Sequence, residues 1–442
     1  MLTLAPHDFS SLVADALAHH RAGRLAEAQA AYRAALLISP GHASITHNLG
    51  VIAAARADPY SAIRCFDEVI AAEPHYTAAH FNRAAAFQAL GQSRQAIEDF
   101  RRACALDPAC YDAHRALGFL WLAEGERGRA LDHFARTYEL RRGEDRTGIA
   151  MRSLTAATRG KLLHDAEQFR FLAGRRRDGQ HFETLARAYA SVAEGFPEEP
   201  AELSGEQIAR LGDDYNCAIT ACGAPEVTGR AVSERTDSAT LTRLFEERRA
   251  VYFDRLLTPQ ALLRLKQYLL ESTIWHDFSH IGGFVASYLE DGLACPLLLQ
   301  VADELRQTFP QLLDKRPLSQ AWAFKALSSD AAVEAHADDG AISLNFWLTP
   351  GEANLDPARG GLSVCRIPPP PGWQMKDYAS DNAQVAEFMA RHRDDTSHVP
   401  YRENRAVLFE SRLFHRSDAP RFANGYENHR INVTMLFGRH ES

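Results

Sequence analysis

The first 142 residues repeat one arrangement of small, aromatic and proline residues at a step of 34 positions. In each period an alanine is followed four positions later by an aromatic residue: Ala28–Tyr32, Ala62–Phe66, Ala96–Phe100 and Ala130–Phe134. Positions four apart lie on one face of a helix, so the small residue lets a neighbouring helix approach the ring. Three periods end at a proline, which cannot continue a helix: Pro40, Pro74 and Pro108. The pattern predicts four stacked helix pairs, an α-solenoid, over residues 1–142.

The pattern changes after this region. Residues 160–174 and 181–196 place apolar side chains at three- and four-residue spacing, which predicts two helices. Proline- and glycine-rich segments follow, and we interpret residues 143–235 as a helical connector and linker.

Short runs with β-like alternation dominate residues 236–442. Residues 248–272 open this region and predict a strand followed by a helix with Thr258 as N-cap and Pro259 at its first position. The later strand-like runs are separated by glycine and proline clusters and lie at 321–327, 341–349, 361–367, 405–410 and 430–438. Such a series predicts an antiparallel jelly-roll or barrel, so the expected fold class is multidomain α + β.

Composition narrows the function classes. The net charge of −8 and the pI near 6.2 argue against a nucleic-acid-binding protein, which needs a basic face. No apolar run approaches the roughly 20 residues that a membrane span requires. The N-terminal residues lack the layout of a signal peptide, and the seven cysteines show no CxxC pair. We therefore expect a cytoplasmic protein without a membrane partner.

The 34-residue period resembles the tetratricopeptide repeat. Asn48 and Asn82 occupy the same position in the first helices of two repeats. In tetratricopeptide domains that bind peptides, an asparagine at this position often holds ligand backbone, so the resemblance implies a protein or peptide partner in the groove. The alternative is that these two asparagines are ordinary polar residues lining the groove.

The C-terminal region contains a candidate metal site. His336 and Asp338 are two positions apart before an apolar strand, so both side chains can point to one face, and His415 ends a later strand. Two imidazoles and one carboxylate on one face of an octahedral ion form the facial triad of non-haem Fe(II) oxygenases. Three positions on the ion stay open, of which a keto acid can chelate two and O₂ can take the third. Asp339 is the alternative carboxylate.

The last strand adds a candidate anion site. Alternation places Arg430, Asn432 and Thr434 on one face, while the apolar residues between them pack on the other. A buried arginine needs an anionic partner, and its planar fork matches a carboxylate such as the distal one of 2-oxoglutarate. Lys325 and Asn345 are further candidates for this co-substrate, with the barrel exterior as the alternative position for each.

These residues resemble the 2-oxoglutarate/Fe(II)-dependent oxygenase superfamily, whose pattern is HxD, a distant histidine and an arginine on the next strand. The segments 336–362 and 425–438 look like a bacterial group of such oxygenases with N-terminal tetratricopeptide repeats. The resemblance implies a double-stranded β-helix (jelly-roll) domain. It also implies His336, Asp338 and His415 as ligands of Fe(II), and Arg430 as the anchor of 2-oxoglutarate. The implied role of Asn432 is less direct, because many members carry serine there. The long spacing before His415 suggests an insert at 366–404 that could form a lid.

The expected function is therefore a dioxygenase that hydroxylates a protein, a peptide or a carrier-bound substrate recruited by the repeats. Such an enzyme couples hydroxylation to oxidative decarboxylation of 2-oxoglutarate by O₂. One alternative is a non-catalytic scaffold or sensor that binds metal and keto acid. Another is a hydroxylase of a small metabolite, and demethylation or desaturation also stays open.

Overall fold

The architecture is described from a computed structural model, for residues 8–143, 155–279, 283–328, 331–370, 372–373 and 382–439. The chain divides into two compact units, residues 1–120 and 121–442. The expected boundaries at 142/143 and 235/236 stay predictions. None of the helices in the described ranges combines the length and the apolar character needed to cross a membrane.

The N-terminal unit consists of antiparallel helix pairs. Its helices are α1 (Phe9–Arg21), α2 (Leu25–Ile38), α3 (Ala43–Ala55), α4 (Pro59–Ala72), α5 (Thr77–Ala89), α6 (Ser93–Leu106) and most of α7 (Tyr111–Ala123). The first helices of the pairs begin at residues 9, 43, 77 and 111, so the 34-residue step of the sequence is also the step of the structure.

The repeated aromatic residues form the core of this unit. The Tyr32, Phe66 and Phe100 side chains are almost completely buried. A Cβ atom on Gly50 of α3 would lie 2.6 Å from Cε1 of Phe66 on α4. Only glycine lets α3 and α4 approach this closely around the ring.

The second unit begins with α8 (Arg127–Arg142), the second helix of the fourth repeat. The helices that follow are α9 (Arg159–Ala173), α10 (Gly179–Ala193), α11 (Gly205–Leu211), α12 (Ser238–Arg248), α13 (Pro259–Glu271), α14 (Pro296–Thr308), α15 (Pro310–Leu313) and α16 (Asn382–Arg391). Thr258 caps α13 as predicted, because its side chain accepts a hydrogen bond from the Ala261 backbone N–H.

Two antiparallel sheets form the C-terminal part of this unit. The larger sheet has the order β3-β10-β7-β12-β5-β4, and the smaller sheet has the order β6-β11-β8-β9. The strands of the larger sheet are β3 (Ala250–Asp254), β4 (Phe284–Tyr288), β5 (Leu318–Ala326), β7 (Ile342–Trp347), β10 (Arg405–Glu410) and β12 (Ile431–Phe437). Those of the smaller sheet are β6 (Val333–His336), β8 (Leu362–Cys365), β9 (Thr396–Val399) and β11 (His415–Ser417). A separate two-stranded sheet pairs β1 (Ala156–Ala157) with β2 (Ala201–Glu202).

The predicted connector packs directly against the strand-rich part. The Gln168 side chain on α9 donates to the Ser272 carbonyl at 2.8 Å, and Glu167 lies 2.9 Å from Nε2 of His429, next to β12. The helices α9 and α10 also share a buried apolar core that includes Phe169 and Tyr189. The connector therefore packs against the strand-rich part through side chains of α9.

The segment 366–404 is described in part, since residues 371 and 374–381 lie outside the described ranges. Within the described part, α16 packs Val385, Phe388 and Met389 against Ala335 of β6 and Cys365 of β8. Ala335 and Cys365 alternate with the residues that face the interior of the two-sheet domain. The described part of the insert thus covers the outer face of the smaller sheet, and a lid function stays a prediction.

Candidate metal centre

The smaller sheet brings the two predicted histidine ligands side by side. His336 at the end of β6 and His415 at the start of β11 are direct register partners, and their ring centres are 4.3 Å apart. Asp338 follows β6 by two residues and turns back to the same face. One ligand atom of each of these three residues lies within 4.8 Å of the other two. Asp339, the alternative carboxylate, is exposed and lies outside this cluster.

Both histidines are oriented by the chain that carries them. Nδ1 of His336 is 2.8 Å from the Glu334 carbonyl oxygen, and Nδ1 of His415 is 2.9 Å from the Leu413 carbonyl oxygen. A carbonyl oxygen can only accept, so each Nδ1 carries a proton. In the neutral imidazoles, the Nε2 lone pairs are then directed at Asp338, whose oxygens lie 3.7 Å and 3.6 Å away.

Burial also favours the neutral form of the His415 imidazole. Burial lowers the pKa of His415 to about 4, with a further lowering from His336, against an opposing effect of Asp338. The His415 and Asp338 side chains are 4% and 5% exposed, whereas His336 is 39% exposed. The cluster is therefore open to solvent on the side of β6.

Arg430 lies in the same pocket as the three ligands, together with Asn432 and Asn345. The arginine is buried, and its Nε donates to the Gly360 carbonyl at 2.7 Å while Nη1 donates to Oδ1 of Asn432 at 3.1 Å. Asn432 in turn donates to Oδ1 of Asn345 at 3.3 Å. The three residues form one hydrogen-bonded row across β12 and β7.

The charge of Arg430 is not neutralised by a direct partner. No carboxylate of the described residues lies within 4.0 Å of its guanidinium nitrogens. Burial lowers the pKa of Arg430 to about 10, which still leaves the group charged at neutral pH. Beside it, the buried Nε1 of Trp347 has no hydrogen-bond acceptor in the described ranges. A buried cation with an unused N–H beside it suits an anionic ligand.

Lys325 does not line the pocket of Arg430 and the three candidate ligands. Trp322 and Phe324 of β5 face the metal-ligand pocket, so the alternation of the strand directs Lys325 to the opposite face. Its side chain is completely buried, with Nζ over the rings of Tyr426 and Trp275. The structure does not bring Lys325 to the Arg430 pocket, in contrast to the expectation from the sequence, because aromatic residues occupy the inward positions of β5.

Two cavities lie near the metal-ligand cluster, and of these only the smaller one is lined by the three candidate ligands. The pocket around the ligands is small, about 30 Å³, which is room for an ion with one or two waters. A keto acid therefore requires movement of side chains at its edge, where Trp322 and Phe324 are half-exposed. An open cleft of about 900 Å³ adjoins the pocket and shares Val333 and Ser417 with it. Arg359, Arg416 and Glu334 are charged residues that line this cleft, and His398 lies beside them.

Asn48 and Asn82 lie at equivalent positions on α3 and α5, half-buried in the N-terminal unit. The Nδ2 atom of Asn48 donates to the Tyr32 hydroxyl at 3.2 Å, and Nδ2 of Asn82 is 2.9 Å from Nε2 of His47. Each amide thus contacts the preceding helices of the array.

Sequence reasoning did not identify the residues around Asp338. Ser343 lies on β7 and donates to Oδ2 of Asp338 at 2.7 Å, and Ser411 is 2.9 Å from the Ser343 hydroxyl. Ser343 shares the inward parity of Asn345, so strand alternation could have indicated it. Ser411 lies 68 residues further along the chain, and no local signal points to it.

Comparison with known proteins identifies the repeats. A family model for the tetratricopeptide repeat matches residues 77–110, which are the third helix pair and the turn after it. Tetratricopeptide repeats generally mediate protein–protein interactions. No curated protein sequence matches the chain.

Among solved structures, MamA from Desulfovibrio magneticus RS-1, from its residue 41 to its end, is 24% identical with a TM-score of 0.30. The match covers 32% of this chain and 80% of that one. A MamA RS-1 double mutant is also 24% identical, with a TM-score of 0.31 and the same coverage. TM-scores of this size are too low to establish a common fold. The family match therefore supports tetratricopeptide repeats in the N-terminal region, and the sheet-rich region after them is a finding of the structure.

Proposed function

We propose that the chain is an Fe(II)- and 2-oxoglutarate-dependent oxygenase that hydroxylates a protein or peptide substrate. One observation carries the proposal. The pocket that contains the ligand atoms of His336, Asp338 and His415 within 4.8 Å of one another also contains the buried guanidinium of Arg430, which has no carboxylate partner among the described residues. A metal cluster next to an anion site is the combination that binding of a keto acid to a metal requires.

The sheet order supports a double-stranded β-helix. Strands β6 and β11 of the smaller sheet carry His336 and His415, and Asp338 follows β6. Arg430 directly precedes β12 at the centre of the larger sheet. The two sheets thus contribute opposite walls of one pocket. This arrangement agrees with the jelly-roll domain that the HxD, histidine and arginine pattern implies.

His336, Asp338 and His415 would hold the metal, with two neutral imidazoles and one carboxylate as donors. Fe(II) bound there would supply the activation of O₂ that is coupled to decarboxylation of the keto acid. Arg430 would bind the distal carboxylate of 2-oxoglutarate through the guanidinium protons that Gly360 and Asn432 leave free. Asn432 and Asn345 would hold the guanidinium in place.

The adjoining cleft favours a substrate larger than a metabolite. His336, the most exposed ligand, lies at the end of β6, and Val333 of the same strand borders both the pocket and the cleft of about 900 Å³. A cleft of that volume can hold several residues of an extended peptide. Together with repeats that typically bind proteins, the cleft supports hydroxylation of a protein or peptide.

Visible spectroscopy under anaerobic conditions tests the proposal. Addition of 2-oxoglutarate to the full-length protein with Fe(II) is expected to produce a charge-transfer band. His336→Ala should abolish the band, and Arg430→Ala should raise the 2-oxoglutarate concentration needed for it by at least about tenfold, since a charge-assisted bidentate contact is lost. His398→Ala, in the smaller sheet, and Arg248→Ala, exposed on α12, are the matched controls and should behave like wild type.

Two outcomes would contradict the proposal. If the wild-type protein binds a metal but shows neither a band nor 2-oxoglutarate turnover, the chain is a non-catalytic scaffold or sensor. The same ligand set also suits Zn²⁺, so tight Zn²⁺ binding that 2-oxoglutarate does not affect would indicate another metal site.

The role of the repeats requires a separate experiment. The double variant Asn48→Ala/Asn82→Ala is expected to retain the charge-transfer band and to lose incorporation of an oxygen atom into protein substrates, measured by mass spectrometry. Asn354→Ala in the second unit serves as the control. Undiminished protein hydroxylation by the double variant would exclude recruitment through these two asparagines, and turnover confined to a small metabolite would favour the metabolite hydroxylase.

A further inference from the structure

Asp338 is connected to two buried serines from other parts of the chain. Ser343 on β7 donates to Oδ2 of Asp338 at 2.7 Å, and the Ser343 and Ser411 hydroxyl oxygens are 2.9 Å apart. Both serines are completely buried. The candidate ligand therefore belongs to a short chain of hydrogen bonds that ends inside the protein.

The direction of these hydrogen bonds follows from their chemistry. An ionised carboxylate only accepts, so the single proton of the Ser343 hydroxyl points to Oδ2 of Asp338. The Ser411 hydroxyl must then donate to Ser343. A hydroxyl that accepts one hydrogen bond becomes a stronger donor, so Ser411 strengthens the contact between Ser343 and Asp338.

Backbone contacts hold two of these residues, Asp338 and Ser411, next to each other. The Asp338 N–H donates to the Ser411 carbonyl at 2.9 Å, and the Ser411 N–H donates to the Ala341 carbonyl at 3.2 Å. A Cβ atom on residue 340 would lie 2.9 Å from the Ser411 hydroxyl oxygen and 3.2 Å from Cβ of Leu436. Gly340 thus allows the turn after Asp338 to pack directly against Ser411.

We propose that Ser343 and Ser411 are positioning residues that fix Asp338 for binding of a metal through Oδ1 alone. Oδ2, 3.6 Å from Nε2 of His415, already accepts the Ser343 hydroxyl, so a metal that also bound Oδ2 would compete with this hydrogen bond, whereas Oδ1, 3.7 Å from Nε2 of His336, accepts no hydrogen bond in the described ranges. With the two histidines bound, an Asp338 that binds through one oxygen leaves three of the six positions of an octahedral ion open. An Asp338 that binds through both oxygens leaves only two. The inference rests on the proposed function, because it assumes that the three ligands bind a divalent metal.

A purely structural role of the serines makes a different prediction. In that case their removal changes the stability of the protein but neither the affinity for a metal nor the coordination of the metal. Residues that hold a ligand in place typically contribute 10- to 100-fold to metal affinity. The metal itself is therefore the probe, independent of any catalytic activity.

The experiment uses the full-length protein and Co²⁺, whose visible absorption reports the number of ligands. Ser343→Ala is expected to weaken Co²⁺ binding about 10- to 100-fold and to change the absorption spectrum, since both carboxylate oxygens become available. Ser411→Ala should weaken binding less, because Ser343 still donates to Asp338. Ser343→Thr keeps the hydroxyl and should restore affinity and spectrum. Ser363→Ala, a buried serine on the outer face of β8, is the matched control.

Each outcome of the Co²⁺ experiment either supports or contradicts the positioning role of the two serines. If Ser343→Ala binds Co²⁺ with wild-type affinity and spectrum, the positioning role is wrong and the metal site stands. If wild-type protein binds no Co²⁺, the proposed function fails and this inference fails with it. If Ser343→Ala does not fold, Ser411→Ala decides, and wild-type binding by that variant contradicts the hydrogen-bonded relay.

Discussion

The Nζ atom of Lys325 lies 3.2 Å from the centre of the Tyr426 ring, in a part of the second unit that solvent does not reach. Among the described residues this Nζ has no hydrogen-bond acceptor. Burial lowers the pKa of Lys325 well below its ordinary value, against opposing effects of Glu167 and Asp165. A charge at this position costs stability, which makes the lysine a useful test of the structure.

Lys325→Met should raise the free energy of unfolding at pH 7 by about 1–4 kcal/mol, because an apolar side chain replaces a buried, unpaired amine. The folded protein binds fewer protons than the unfolded chain between the lowered pKa and about 10.5. Wild-type stability therefore rises with pH in this window, and the gain from methionine shrinks towards pH 10.5.

Tryptophan fluorescence during urea unfolding is a suitable measurement, since all five tryptophans lie in residues 121–442. If the protein binds 2-oxoglutarate as proposed, the variant should retain the wild-type affinity for it, because Lys325 faces away from Arg430. A gain that does not depend on pH, or a loss of 2-oxoglutarate binding, would contradict the observed position of Lys325.

A buried ion pair should show the opposite dependence on pH. Arg142 on α8 donates two hydrogen bonds, of 2.8 Å and 2.7 Å, to Asp291, and both side chains are at most 3% exposed. Burial alone raises the pKa of Asp291, but the charge and hydrogen bonds of Arg142 outweigh it and lower the pKa below its usual range. The stabilisation is present above about pH 4 and is lost as the pH falls through the lowered pKa.

Asp291→Asn is therefore expected to lower the free energy of unfolding at pH 7 by about 3–5 kcal/mol, because the buried Arg142 loses the carboxylate that accepts two of its hydrogen bonds. The difference from wild type should decrease in acid. The control is Glu198→Gln, which removes the exposed partner of Arg159 and should cost at most about 1 kcal/mol. The double variant Arg142→Met/Asp291→Leu should recover much of the lost free energy of unfolding. An equal loss in Asp291→Asn and in the double variant would exclude the buried charge as its cause.

Gly50→Ala tests the packing of the helix pairs. The added methyl group would lie 2.6 Å from Cε1 of Phe66, so the ring or a helix must move, at a cost of about 1–3 kcal/mol. Faster amide hydrogen exchange in α3 and α4 should report the change. Phe66→Leu in the same chain should restore part of the protection. Gly128→Ala in α8, where no atom lies within 4 Å of the added carbon, should leave its helix unaffected or better protected.

The helix pairs were predictable from the sequence because their contacts are local. The helices of each pair are adjacent in the chain, and the 34-residue period fixes both their length and the positions of their core residues. Strands β7, β8, β10 and β12 also lie in predicted segments, and β5 overlaps its predicted segment but begins three residues earlier, at Leu318. Alternation is a property of neighbouring residues, so it could be read from the sequence. In contrast, the helical periodicity of α9 did not predict that the polar residues Lys161 and Asp165 are buried.

The sequence by itself determined which residue types could bind a metal and a carboxylate, because His336, Asp338, His415 and Arg430 follow one another in a recognisable order. Only the tertiary structure decided that His336 and His415 are register partners and that Arg430 donates to Gly360, 70 residues away. It also decided that Lys325 faces α9 and that Ser343 and Ser411 hold Asp338. Pairing between distant strands sets these contacts, and the pattern of a single strand contains no information on which of its faces is covered by which neighbour.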